Sequence, residues 1–121
     1  MKLHNICEQV KEIARSTGVY LKNEQAALKT KDIELKGTRN YVTYIDKEAE
    51  KQIVEGLKNL IPHAAFLTEE DTVEYTKSEY TWVIDPLDGT TNFVHGDTPY
   101  SVSIALMKKG IVILGIVYDP V

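Results

Sequence analysis

Trp82-Val83-Ile84-Asp85-Pro86-Leu87-Asp88-Gly89-Thr90-Thr91-Asn92 sets a short apolar run against two carboxylates three residues apart, then hands the chain to a glycine and two hydroxyls. Trp82, Val83 and Ile84 read as a buried strand, so Asp85 and Asp88 fall at its carboxyl end, beside a crevice. Carboxylates are hard oxygen ligands for Mg²⁺. A backbone carbonyl between them adds another oxygen and leaves positions for water and phosphate. Gly89 lets the backbone approach closely, and a helix beginning there would point its first N–H groups at an anion. The competing reading is a plain β-turn, since Asp, Pro and Gly are ordinary turn formers. Two unpaired anions this close repel unless a cation joins them, which favours metal and phosphate over the turn.

The chain has 121 residues, one domain's worth, of which 43% are hydrophobic and 26% charged. That balance is ordinary for a globular protein and leaves no case for disorder. A net charge of -4 without a basic stripe argues against nucleic acid as a partner. The lone Cys7 forms no internal disulfide and fits a reducing, cytoplasmic setting. It falls in phase with Leu3, Ile6, Val10, Ile13 and Ala14 as a packing residue. The amino terminus does not read as a signal peptide and no stretch reaches membrane-span length, so a membrane is not an expected partner.

Helical spacing predicts an amphipathic helix from Leu3 to about Leu21, weakest at Gly18. Residues 29–40 are mostly polar and read as an exposed loop with room for a short edge strand. Tyr41 to Ile45 reads as a brief extended piece, after which Asp46 caps a second helix that runs to about Leu60 and is stopped by Pro62. Strands are predicted at Ala64–Leu67, Tyr80–Ile84, Thr98–Met107 and Ile111–Tyr118, with residues 71–79 a solvated loop and a helical turn from Gly89 to about Val94. Lys108-Lys109-Gly110 turns the chain between the last two strands. Ile111–Tyr118 is almost continuously apolar and reads as covered on both faces. Two helices shield one face of such a sheet, so the other face needs more protein, either another copy or further sequence.

The string WVIDPLDGTTNFVHG resembles the signature of the inositol monophosphatase family of Mg²⁺-dependent sugar phosphatases. FLTEED upstream is similar to the family's Glu-Glu element and YVTYID to its Val-Thr-x-x-Asp element, while the paired strands ending in VYDP follow in the same order. The resemblance implies an α+β fold: a helix pair layered on a mostly antiparallel sheet, the N-terminal half of an αβαβα sandwich. It implies Mg²⁺ as cofactor and hydrolysis of a small-molecule phosphate monoester, foremost inositol monophosphate. Fructose bisphosphate, NADP(H) and adenosine bisphosphate are the substrates of relatives with the same signature. Glu69, Asp85 and the Leu87 carbonyl correspond to ligands of a first Mg²⁺. Asp85 bridges to a second ion that Asp88 also binds. Asp88, Gly89 and Thr90 would meet the phosphate, Thr90 and Glu69 would orient and deprotonate a metal-bound water, and Asp46 would hydrogen-bond the Thr90 hydroxyl.

Taken singly, Thr90 and Asp46 could equally be helix caps, and Glu69 with Glu70 a solvated pair at a strand end. Lys36 lies in a loop near the family's active site, but exposed lysines are usually just solvated. His95 reads as a turn or packing residue, and His4 and His63 as incidental. Family members are considerably longer, and their second half adds another aspartate to the second metal and most substrate-hydroxyl contacts. Residues 1–121 are therefore expected to be an incomplete domain with little activity alone; the resemblance also implies a homodimer. The class opposed to an enzyme is a noncatalytic module that binds metal or a partner.

Overall fold

The computed structural model of the chain describes residues 2–30, 35–68 and 78–121, with backbone alone for 29–30 and 35–40. Helices α1 (Leu3–Thr30) and α2 (Leu35–Leu57) are followed by β1 (Ala65–Thr68), β2 (Tyr80–Asp88), the short helix α3 (Thr90–Val94), β3 (Ser101–Lys108) and β4 (Ile111–Tyr118). The four strands form one sheet in the order β1-β2-β3-β4. β1 runs parallel to β2, and the β2–β3 and β3–β4 pairs are antiparallel. The fold is α+β, as expected, with the helix pair on one face of a mixed sheet.

α1 does not stop near Leu21 but continues to Thr30. Glu24, Ala26, Ala27 and Leu28 are good helix formers, and the buried stripe Val10, Ala14, Thr17, Leu21 runs on into Gln25. Gly18 is no weak point. A Cβ there would lie 2.6 Å from Tyr118 Cε2 and 3.2 Å from Pro120 Cγ, so the missing side chain is what lets the end of β4 lie against the helix.

Two further expectations are overturned at α2. Residues 35–40 are helical, not loop, and Tyr41–Ile45 is helical, not extended. Val42, Ile45, Ala49, Ile53 and Leu57 recur at three- and four-residue intervals and are all buried, so the helical period overrides the β preference of Val42, Thr43, Tyr44 and Ile45. Asp46 consequently lies inside α2 rather than at its cap. The helix ends at Leu57, ahead of Pro62, in a turn closed by Leu60 N–H donating to the Leu57 carbonyl at 3.0 Å.

Trp82, Ile84, Val102, Ile104 and Leu106 project from the sheet into the core formed with α1 and α2, each 1% exposed or less. The β3–β4 turn at Lys109 and Gly110 has positive φ at both residues, 50° and 82°. That is the twist a two-residue hairpin turn needs. β4 departs from its expected two-sided cover. Leu114, Ile116 and Tyr118 face the helices, whereas Ile111, Val112 and Val117 are 60–75% exposed. Val112 and Val117, with Leu67, leave an open apolar area on the sheet's other face, in keeping with the one-sided shielding inferred from the helix count.

Candidate functional site

β2 runs four residues beyond Ile84, through Asp85 and Pro86 to Asp88. Pro86 has no N–H to give to the ladder, and the register shifts here: Asp85 pairs with Ser103, and the next pair is Asp88 with Ser101. Three steps on β2 (85 to 88) thus match two on β3 (103 to 101), which is a one-residue bulge. Cross-strand partners share a face, and Ser101 and Ser103 are two apart, so both aspartates emerge on the same side of the sheet. It is the side turned away from α1 and α2, since Val102 and Ile104 face the helices. Asp85 is half-buried and Asp88 exposed.

Between the acids the backbone is held locally. Leu87 N–H donates to Asp85 Oδ1 at 3.3 Å, and the Leu87 carbonyl accepts from Thr90 Oγ1 at 3.4 Å. Gly89 then adopts φ 91°, the left-handed region that a side chain disfavours. A Cβ at this position would stand 2.8 Å from the Pro99 carbonyl oxygen. α3 begins at Thr90 with no side-chain cap. The expected helical turn is therefore present, and its approach to the β3 entry is as close as a glycine permits.

The rest of the 89–100 segment is anchored on two sides. Asn92 Nδ2 donates to the Pro99 carbonyl at 2.9 Å, and Phe93 meets Tyr100 edge to face, with ring centroids 5.2 Å apart. Burial, and secondarily the charge of Asp119, raises the Tyr100 hydroxyl above its ordinary pKa, so this ring stays neutral. From the helix layer, Gln25 Nε2 donates to the carbonyls of Phe93 and Asp97, each at 3.2 Å. Gln25 is a residue that motif reading misses. Its signal in the sequence is a polar side chain four residues after Leu21, in the apolar stripe of α1.

Asp46 is half-buried on α2 and engaged in interactions of its own. Glu69 and Glu70 lie outside the described residues, as does the Lys36 side chain. Exposed His95 terminates α3, its N–H donating to the Thr91 carbonyl at 3.2 Å, a turn role as read from sequence. Among the described residues, no three His, Cys, Asp or Glu side chains gather into a group that could hold a metal. Asp85 and Asp88 emerge on one face, and carboxylate oxygens are hard donors of the kind that suits a divalent cation better than a soft metal. No helix among the described residues is long and apolar enough to cross a membrane.

Residues 2–121 match the family model described as the inositol monophosphatase family. The Nus factor SuhB of Pasteurella multocida is 50% identical over 88 residues, 72% of this chain and 33% of that protein. The fructose-1,6-bisphosphatase/inositol-1-monophosphatase of Aquifex aeolicus is 38% identical over 118 residues, 98% of this chain and 45% of its own. Among solved structures, the extragenic suppressor protein suhB of Bartonella henselae superposes with a TM-score of 0.79 at 31% identity, covering 96% of this chain and 44% of that one. The chain spans less than half the length of each of these relatives.

Proposed function

The chain belongs to the inositol monophosphatase family, and from that premise we propose that it carries the metal- and phosphate-binding part of a Mg²⁺-dependent phosphate monoesterase, with inositol monophosphate as the foremost substrate. The observation that carries this reading is the bulge that aims Asp85 and Asp88 from one sheet face beside the Gly89 turn. Asp85, the Leu87 carbonyl and Glu69 would hold one Mg²⁺, and Asp85 with Asp88 a second. Such ions acidify water and neutralise phosphate charge. The N–H groups of Gly89 and Thr90 would receive the phosphate oxygens. Glu69 would take the proton of the attacking water, the Thr90 hydroxyl would orient that water, and Asp46 would orient Thr90. Positioning and charge neutralisation account for most of phosphoryl transfer, which suits a site without a serine or cysteine nucleophile.

Less than half of each relative's length is represented here. We therefore assign the remaining ligand of the second ion and the contacts to the substrate's hydroxyls to the part of the fold that these residues do not carry. The lone Cys7 supports a reducing, cytoplasmic setting.

Titration of the 121-residue chain with Mg²⁺, followed by phosphate-release assays on inositol monophosphate with an Asp88→Asn control, tests both parts. Mg²⁺ binding with little turnover is the expected result. Absence of Mg²⁺ binding overturns the site assignment, and robust Asp88-dependent turnover overturns the claim that the site is incomplete. Fructose bisphosphate is the second substrate to offer, because the Aquifex aeolicus relative's name includes that activity. A noncatalytic role is the other alternative, favoured by the name Nus factor on the 50%-identical relative.

A further inference from the structure

Gln25 is 7% exposed on the late part of α1, and both of its amide protons are committed. Two carbonyl oxygens at 3.2 Å from one side-chain atom identify that atom as nitrogen, since an oxygen there would face two acceptors. One carbonyl lies in the middle of the 89–97 segment and the other at its far end. The Phe93 carbonyl also accepts the Gly96 N–H at 3.1 Å, and the Asp97 N–H donates to the Asn92 carbonyl at 2.7 Å. Gln25 thus ties the closing turn of this segment to the helix layer, while Asn92 and Phe93 tie its middle to the start of β3.

A helical piece of five residues cannot hold its own orientation, because a single turn fixes many dihedrals for few hydrogen bonds. Its direction is set by what grips it from outside. We propose that Gln25 is a positioning residue for the phosphate-binding turn. It sets where the Gly89 and Thr90 N–H groups stand relative to Asp85 and Asp88, and it touches neither substrate nor metal. The inference rests on the reading that these N–H groups receive phosphate. Gln25 reaches the turn only because α1 extends past Leu21, so the helix that covers the core also steers the site.

Gln25→Leu removes both donors at similar volume. The test follows amide hydrogen exchange by NMR, Mg²⁺ affinity, and inorganic phosphate affinity at saturating Mg²⁺, on the 121-residue chain and its variant. The expected result is faster exchange at Gly96 and Asp97, unchanged Mg²⁺ affinity, and phosphate affinity lowered about tenfold, within the range that small misplacements of binding groups produce. Unchanged phosphate affinity with faster exchange shows a clamp without a positioning role and overturns the proposal, as does a parallel loss of Mg²⁺ and phosphate. Should Gln25→Leu fail to fold, Gln25→Met keeps the length of the side chain without the amide donors or a buried charge and is judged by the same split. Failure of the unsubstituted chain to bind phosphate overturns the functional reading instead, a result separate from the comparison between variants.

Discussion

Asp85 and Asp88 stand opposite Ser103 and Ser101, so that two acids an odd number of residues apart share one face of the sheet. A regular strand would send them to opposite faces. The bulge around Pro86 and Leu87 supplies the extra residue that reverses this, and it places the pair on the side not covered by α1 and α2. On the proposed reading the two carboxylates would hold a cation jointly. Asp85→Asn and Asp88→Asn are each expected to weaken Mg²⁺ at least tenfold, about 1.4 kcal/mol, by calorimetric titration. For exposed Asp88 the melting temperature should hold or rise, because the change removes like-charge repulsion.

Gly89→Ala should be destabilising as well as harmful to phosphate binding. The residue needs φ 91°, where an L side chain costs roughly 1–2 kcal/mol, and the new methyl would press on the Pro99 carbonyl at 2.8 Å. Chemical denaturation reads the first effect and phosphate titration the second. An unchanged denaturation midpoint would show that the turn yields where the geometry says it cannot.

Tyr20 carries a pH prediction. Burial first, then the charges of Glu24 and Glu48 with the hydroxyls of Tyr44 and Tyr41, raise its pKa in the folded chain well above the ordinary tyrosine value. Tyr41 in turn donates to Glu24. A raised folded value means that the neutral form is favoured in the fold. Its contribution is whole below the unfolded pKa of about 10 and is lost as pH rises above it, because the unfolded chain ionises first. Thermal melts from pH 8 to 11 should show stability falling more steeply above pH 10 in the parent chain than in Tyr20→Phe. At pH 7 the substitution should cost little, since the Tyr20 hydroxyl is buried without a hydrogen-bond partner among the described residues.

The open sheet face should make the chain self-associate. Leu67, Val112 and Val117 are 49%, 60% and 75% exposed, and β4 is an eight-residue edge without a charged residue to protect it. Sedimentation velocity is expected to show concentration-dependent species that Val117→Lys shifts towards monomer. A strictly monomeric parent chain across that range would contradict it.

Much of the strand placement was legible because alternation and turn chemistry are local. Val102, Ile104 and Leu106 alternate with Ser101, Ser103 and Ala105, and Lys109-Gly110 marks the hairpin. The helices were harder. Tyr41–Ile45 is rich in β-formers, and only packing against the sheet shows that the three- and four-residue spacing of Val42, Ile45 and Ala49 prevails. Residues 22–30 carry polar side chains that hide a continuing helix, and with it the role of Gln25.

The residue chemistry of the site was written in the sequence alone: two aspartates, a glycine and two hydroxyls in one short string, in an order that identified the family. Local composition suffices for that, because ligand type and backbone freedom belong to individual residues. Which face the aspartates share, and what steadies the turn beside them, belonged to the tertiary structure. A strand's facing depends on its register with a neighbour. The Gln25 hydrogen bonds join residues 68 and 72 positions apart, a separation that no local pattern encodes.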